Sequence, residues 1–224
     1  SLFTYTPTSA TVGATYAWTR AANANITPAP GVSSNVVPIS ETLTNTSPVQ
    51  TTVTYNIITT ANSCSNTAQQ VTVVVNPKPL LTTTTATICN NTQFNYTAVS
   101  NTPTTTFAWS RAVVAGISNP SATGTNTISE TLVNTSNAPV VVTYSFVLTA
   151  YGCTNNQTLS VTVYPTPVLS SLLLTAATCS EQSFVYTPSF AVTNTTYSWT
   201  RAAVSGVTPT GSNGTGVGVN ETLV

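Results

Sequence analysis

The sequence predicts an all-β protein made of tandem β-sandwich domains that follow one another as beads in an elongated rod. Charged residues make up only 4% of the 224 residues while apolar residues make up 41%. The difference is filled largely by Thr, Asn and Ser, and the abundant Thr and Val favour strands over helices. Sequence motifs recur about every 90 residues, which is the size of one sandwich domain.

The repeat is clearest in its rarest residues. Each copy contains a Trp-x-Arg stretch followed about twenty residues later by Glu-Thr-Leu, and the chain has no other tryptophan or arginine. The tryptophans are Trp18, Trp109 and Trp199; the arginines are Arg20, Arg111 and Arg201; the glutamates are Glu41, Glu130 and Glu221. Three of four basic and three of four acidic residues therefore belong to the repeat.

Domain boundaries are predicted at Pro77-Lys78-Pro79 and Pro165-Thr166-Pro167, because a Pro-x-Pro stretch cannot continue a strand ladder and forms an extended spacer. The first domain is residues 1–79 and lacks its opening strand. The second, 80–167, is complete, and the third, 168–224, lacks its last strands. Since both ends fall within a repeat, we expect the sequence to be a segment of a longer protein.

Short apolar-polar alternations separated by turn residues give the predicted strands of the middle domain. They are Leu80–Thr87, Gln93–Val99, Thr105–Arg111, Thr127–Val133, Val140–Ala150 and Gln157–Tyr164. The Val71–Val73 stretch of the first domain matches Val161–Val163 at an offset of 90. The segment before each glutamate, Gly211–Gly218 in the third domain, is expected to be a flexible loop, since no lysine or helix follows it as in a phosphate-binding loop.

Strand parity predicts where the repeated charges lie. Trp109 and Arg111 are two residues apart, as are Glu130 and Leu132, so Arg and Glu point to the core with Trp and Leu. A buried lone ion is strongly unfavourable. We therefore predict three structural ion pairs, Arg20 with Glu41, Arg111 with Glu130 and Arg201 with Glu221, with each guanidinium bidentate on its carboxylate and against an aromatic ring.

The four cysteines, Cys64, Cys89, Cys153 and Cys179, also follow the repeat. Their spacing does not fit a zinc site, and disulfides in an exported protein are the preferred interpretation, with buried free thiols as the alternative. The sequence leaves two pairings open. One is a bond within each bead, Cys89 with Cys153, and the other is a bond between neighbouring beads.

Composition excludes several functional classes. The chain has neither histidine nor aspartate, which removes Ser-His-Asp systems, common zinc-water sites and EF-hands. We therefore predict no catalytic residue, cofactor or metal. The formal net charge is zero, which argues against a nucleic-acid partner, and no apolar run approaches the length of a membrane span.

Together these motifs resemble the PKD-like, immunoglobulin-like repeats of very large cell-surface adhesins of gliding bacteria with type IX secretion. The resemblance rests on the frame from Ile88-Cys89 through Phe94-Asn95-Tyr96-Thr97, Trp-x-Arg, Glu-Thr-Leu and Val142-Thr143-Tyr144 to Gly152-Cys153 and Pro-x-Pro. It implies a seven-strand or similar sandwich and an extracellular or cell-surface location. The Trp-Asp-Phe-Gly-Asp-Gly stretch of better-known PKD domains is missing, so calcium-linked rigidity is not implied.

The expected role is that of a non-enzymatic stalk or spacer that presents an adhesive region. Its expected partners are further copies of the repeat and, in addition, surface glycans or host surfaces. Two alternatives remain open: a carbohydrate- or protein-binding module, with recognition by a variable loop such as Gly211–Gly218, and an accessory domain of a larger secreted enzyme.

Overall fold

The computed structural model describes residues 2–30, 32–34, 37–171 and 177–224, and every element in these ranges is a β-strand. Among the described residues, no helix is long and apolar enough to cross a membrane. The first bead contains β1 (Leu2–Tyr5), β2 (Thr15–Arg20), β3 (Ile26–Thr27), β4 (Val32–Ser34), β5 (Ile39–Thr42), β6 (Thr44–Asn45), β7 (Thr51–Ala61), β8 (Cys64–Ser65) and β9 (Gln69–Val75).

The middle bead contains β10 (Thr85–Cys89), β11 (Thr92–Thr97), β12 (Thr106–Arg111), β13 (Ala122–Thr125), β14 (Thr127–Leu132), β15 (Val140–Ala150) and β16 (Cys153–Tyr164). The described part of the third bead contains β17 (Ser183–Tyr186), β18 (Ser198–Arg201), β19 (Ser212–Thr215) and β20 (Val219–Thr222).

The middle bead is a seven-strand sandwich. One sheet has the order β10-β16-β15-β12-β13, and β11 pairs with β14 in the other. All pairs are antiparallel except β10 with β16, which run in the same direction. The predicted fold class, tandem immunoglobulin-like sandwiches, is confirmed.

The core of the middle bead follows from strict alternation along its strands. In β15 every second residue from Val142 to Ala150 is buried, and the intervening residues face outward. Both sheets of the sandwich contribute apolar side chains to one cluster, which includes Phe94, Phe107 and Leu132. A second cluster, around Trp18, Ile39 and Tyr55, forms the core of the first bead.

The predicted first strand of the middle bead is wrong in its position. Leu80–Thr87 was expected to form one strand, whereas β10 covers Thr85–Cys89 beside β16 and Leu81 forms an isolated bridge with Ser100. The chain thus changes from one side of the sandwich to the other between these contacts. Alternation alone could not locate that change, because Thr at four successive positions fits either pairing.

The predicted flexible loop before each glutamate is also corrected, because it contains a strand that pairs with the Trp-x-Arg strand. The reason is visible at Gly124, opposite Trp109: a Cβ atom there would lie 2.6 Å from the indole ring. Gly214 stands in the same relation to Trp199. Glycine therefore lets each indole lie across the neighbouring strand, and its presence in a polar stretch had suggested flexibility instead.

For the last strands of the first two beads, the structural equivalence differs by two residues from the sequence match. Val73 pairs with Val53 as Val161 pairs with Val142, so the structural offset is 88 rather than 90. In the first bead the ladder is interrupted between Ser65 and Gln69, and its register slips by one residue there. Parity is unchanged by a shift of two, so the predicted core faces are the same.

The linker between the first two beads is ordered by contacts to both. Pro77 and Pro79 are buried. Asn76 Nδ2 donates to Tyr151 O of the middle bead at 2.8 Å, and Asn155 Nδ2 donates to Pro79 O at 2.8 Å. Residues 168–224 contain no counterpart of β15 or β16, and no hydrophobic side chain is fully buried among the described residues of this range.

Candidate functional site

The repeated charges of the middle bead are Arg111 and Glu130, which β12 and β14 place face to face across the sandwich. Arg111 is 2% exposed. Its Nε donates to Glu130 Oε2 at 3.0 Å and its Nη2 to Oε1 at 2.8 Å, a bidentate pair. The guanidinium carbon lies 5.9 Å from the centre of the Tyr144 ring. The geometry is that of an ion pair at the edge of the core, with a buried guanidinium and a largely buried carboxylate.

The other two beads repeat the arrangement. Arg20 Nε donates to Glu41 Oε2 at 2.9 Å, and Arg20 Nη2 donates to Oε1 at 3.3 Å. Arg201 Nε donates to Glu221 Oε2 at 2.9 Å. Each predicted arginine thus lies beside its predicted glutamate in the structure.

Two further partners of the pair escaped sequence reasoning. Tyr144 Oη donates to Glu130 Oε2 at 2.6 Å, and Tyr55 donates in the same way to Glu41. A proline carbonyl accepts from Nη2 of each arginine: Pro28 at 2.8 Å, Pro120 at 2.7 Å and Pro209 at 2.7 Å. A signal existed, since each tyrosine follows its glutamate by fourteen residues and each proline follows its arginine by eight or nine.

In the third bead, residues 168–224 include no counterpart of Tyr144, and Ser212 Oγ donates to Glu221 Oε1 instead. The carboxylate therefore keeps a hydroxyl donor beside the guanidinium. The recurring unit is an arginine that donates to a carboxylate and to a proline carbonyl, together with a hydroxyl group that also donates to the carboxylate.

The charges make the stability of the middle bead depend on pH. Burial raises the pKa of Glu130, but hydrogen bonds from Arg111 and Tyr144 outweigh it, so the net pKa lies below the usual 4.5. Burial and the bond to Glu130 raise the pKa of Tyr144 above 10. A lowered carboxyl pKa stabilises the fold above the unfolded value and ceases to do so as pH falls through the folded value. A raised tyrosine pKa stabilises below pH 10 and ceases to do so above it.

We therefore expect the free energy of unfolding of the middle bead to decrease below about pH 4.5 and above about pH 10. Urea unfolding, followed by hydrogen exchange of the β15 amides, measures this free energy in the middle bead alone. Glu130→Gln should reduce the decrease in the free energy of unfolding below about pH 4.5. Glu181→Gln, at an exposed glutamate of the third bead, should leave that decrease unchanged. An equal decrease in both variants would contradict the assignment to Glu130.

The tryptophans serve the core. Trp109 meets Tyr144 edge-on at 5.5 Å between ring centres, and its Nε1 donates to Thr127 O at 3.0 Å. Trp18 contacts Tyr55 in the same manner at 5.7 Å. Trp199 Nε1 donates to Val217 O at 3.0 Å and its side chain is half-buried. In the first two beads the indole therefore packs against the tyrosine that donates to the glutamate of the ion pair.

In the first two beads a buried asparagine two residues after the Glu-Thr-Leu leucine was missed from sequence. Asn134 Nδ2 donates to Ala138 O and Val163 O, both at 2.9 Å, while its Oδ1 accepts from Ser136 N at 2.8 Å. Asn45 makes the equivalent bonds to Val49 O and Val75 O. The repeated Asn-Thr-Ser sequence was the available signal, and the amide fastens the loop after β14 to the end of the last strand.

The cysteines occupy opposite ends of a bead. We call the end that carries the β15–β16 turn the entry end, because the linker from the preceding bead contacts it there. We call the end where β16 finishes at Tyr164 the exit end. Cys153 begins β16 and Cys89 lies beside Tyr164. Eleven residues of strand separate these positions, roughly 36 Å. This distance rules out one of the two pairings that the sequence left open, the Cys89–Cys153 bond within one bead.

All four cysteines lie in the described part of the chain as free thiols, and Cys64, Cys89 and Cys179 are exposed rather than buried. In the described residues no three His, Cys, Asp or Glu side chains are grouped so that they could hold a metal ion. The glutamates of the three repeats are occupied by their arginines.

Comparison with known proteins identifies the repeat. The sequence model of the PKD-like domain family matches residues 3–79 and again residues 86–167, which together are well over half of the chain. A comparison with curated proteins finds no significant match. Immunoglobulin-type PKD-like domains are generally non-catalytic, typically extracellular modules. With two matched copies in tandem, the chain belongs to the PKD-like domain family.

Proposed function

We propose that this chain is a segment of a stalk in a long extracellular bacterial surface protein, where tandem beads act as a spacer that presents an adhesive region. The observation that carries the proposal is the ordered junction between the first two beads. A spacer transmits length only if its joints hold their angle, and this joint is built from hydrogen bonds and buried prolines rather than from a free linker.

Three contacts fix the joint. Asn76 accepts from Gln50 Nε2 of its own bead at 2.8 Å and donates to Tyr151 O of the next. Pro79 O accepts from the buried Asn155 side chain. Lys78 and Leu80 line a cleft whose other walls come from both beads. Proline also restricts the backbone between these contacts.

The composition of the surface supports the same role. The only cation outside the three ion pairs is Lys78, and the only acid outside them is Glu181. A surface with almost no charge offers little for electrostatic recognition of a ligand. The gliding-type, type IX secreted adhesins remain the class that the sequence motifs resemble, and the adhesive target would be carried elsewhere than in the beads described.

The distance between two native cysteines tests the spacer. Cys64 and Cys153 mark the entry ends of the first two beads, so nitroxide labels on them, in a Cys89→Ser, Cys179→Ser background, report the bead-to-bead distance. We expect a narrow distribution centred at about 40 Å, the length of one bead plus its linker. Double electron–electron resonance measures this distribution.

Pro77→Gly with Pro79→Gly should broaden that distribution, because it releases two fixed backbone angles. Pro139→Gly, at an exposed proline at the opposite end of the middle bead, is the matched control and should leave it narrow. A distribution already broad in the parent protein would contradict a spacer role.

A further inference from the structure

The cysteines of the repeat fall into two positional classes. Cys89 ends β10, the first strand of the middle bead, at the exit end, and Cys179 is its sequence counterpart at an offset of 90. Cys64 and Cys153 follow the last hairpin turn of their beads, at the entry end. Within a bead the two classes are too far apart to bond. Between consecutive beads, however, an exit end meets an entry end.

The junction of the first two beads shows how closely they meet. Val75 and Val163 are equivalent, because each carbonyl accepts from the buried asparagine of its bead. The next residues, Asn76 and Tyr164, are therefore equivalent as well. Asn76 contacts the following bead at Tyr151 O, two residues before Cys153.

The middle bead shows which residue lies beside that position. Cys89 is the register partner of Tyr164 in the parallel β10–β16 pair, and Asn90 N donates to Tyr164 O at 2.7 Å. An exit-end cysteine thus lies one strand, about 4.8 Å, from the residue that touches the next bead. The entry-end cysteine of that next bead is two residues beyond the contact.

We propose that consecutive beads of this repeat are linked by a disulfide between the exit-end cysteine of one bead and the entry-end cysteine of the next. Such a bond needs Cα atoms about 4.4–6.8 Å apart. The exit-end cysteine lies one strand spacing from the donor residue of the inter-bead hydrogen bond, and the entry-end cysteine lies two residues beyond its acceptor, so both thiols are at the same junction. The inference rests on the tandem arrangement of the proposed stalk and is independent of what the stalk carries.

Residues 1–224 contain only one member of such a pair at each junction. Cys153 faces the exit end of the first bead, where these residues hold no counterpart of Thr85–Cys89. Cys89 lies at the junction with the third bead, where they hold no counterpart of the β15–β16 turn. Because neither junction holds both members of a pair, no such bond is expected within residues 1–224, and all four thiols are free in the structure.

Bond formation is an ordinary two-electron oxidation. One thiolate attacks a small disulfide such as oxidised glutathione, releasing a thiol and leaving a mixed disulfide. The cysteine of the neighbouring bead then displaces the second small thiol. Two protein thiols lose two protons and two electrons, and the small disulfide takes them up. Cys89 is exposed and Cys153 half-buried, so both are open to exchange.

The test supplies a complete junction. The middle bead is repeated once inside the full chain, so that residues 1–167 are followed by a second copy of 80–167 and then by 168–224, with Cys64→Ser and Cys179→Ser. After equilibration with reduced and oxidised glutathione, we expect two of the four remaining thiols to be lost. Cleavage at the arginines puts Cys89 of the first copy and Cys153 of the second copy in two separate peptides, and the other two cysteines together in the peptide between them. A link between the two outer peptides in non-reducing mass mapping therefore identifies the expected bond.

The expected bond joins Cys89 of the first copy to Cys153 of the second. Cys153→Ser in the second copy should leave all three remaining thiols free, whereas Cys153→Ser in the first copy should leave the bond intact and one thiol free. A bond within one copy, or four free thiols in a chain whose β15 amides are protected from exchange, would overturn the proposal. The bead-to-bead distance, measured with nitroxide labels under reducing conditions, tests the proposed stalk independently of this bond.

A second experiment needs no added bead. In the 224-residue chain, Asn76→Cys places a thiol at the contact with Tyr151, and a short bis-maleimide should link it to Cys153 and not to Cys64. Linkage to neither cysteine, with the beads folded, would show that the two ends do not meet.

Discussion

Arg111→Met is expected to destabilise the middle bead by about 3–5 kcal/mol, because it leaves the Glu130 carboxylate without its counter-ion in a largely buried position. Methionine fills much of the same volume, so the cost is electrostatic rather than a cavity. The Pro120 carbonyl also loses its donor from Nη2. Hydrogen exchange of β15 amides in increasing urea measures the loss in this bead alone.

Removing the whole network should be much milder. We expect Arg111→Met combined with Glu130→Leu and Tyr144→Phe to cost far less than the sum of the single changes, since no charge or hydroxyl is then left without a partner. Losses that simply add would refute the coupling. Lys78→Met is the matched control: it removes the same charge from an exposed position and should change stability by no more than about 0.5 kcal/mol.

Asn134→Asp is expected to destabilise the same bead by about 3 kcal/mol or more. The substitution keeps the shape but replaces the amide donor by an oxygen that faces the carbonyls of Ala138 and Val163. Each buried acceptor left without a donor costs about 1–3 kcal/mol, and a charged neighbour costs more. Thermal and urea unfolding, read again in β15, give the value.

Asn156→Asp provides the comparison, because Asn156 lies on the outer face of β16 and is exposed. The same chemical change there should be nearly neutral. Equal effects at the two positions would mean that the general loss of an amide, and not the fastening of the loop to Val163, determines stability. Asn134 is also the acceptor of an Asn-x-Ser sequence, and its burial makes it unavailable to a sugar.

Much of this fold could be predicted because its repeat is carried by residues that are otherwise scarce. Trp109, Arg111 and Glu130 recur in a nearly uncharged chain, and parity alone placed Arg111 on the same face as Trp109. The β15 strand was predicted with the bounds that the structure shows, since an alternation of eleven residues between turn signals leaves little freedom.

What could not be predicted depended on contacts distant in sequence. β13 was missed because Gly124 looks like a loop residue until the indole opposite it is known. The first strand was misplaced because the switch at residues 83–84 is set by which sheet offers a free edge. Tyr144 belongs to the recurring Val-Thr-Tyr stretch, but its bond to Glu130 depends on three strands meeting.

That parallel pair has a mechanical consequence. The chain enters the middle bead beside the start of β10 and leaves it from the end of β16, and the two strands run side by side in the same direction. When the two ends of the bead are pulled apart, β10 and β16 are drawn in opposite senses along their common axis. The hydrogen bonds between them are then loaded together in shear and must break together, rather than opening one at a time as a zipper does.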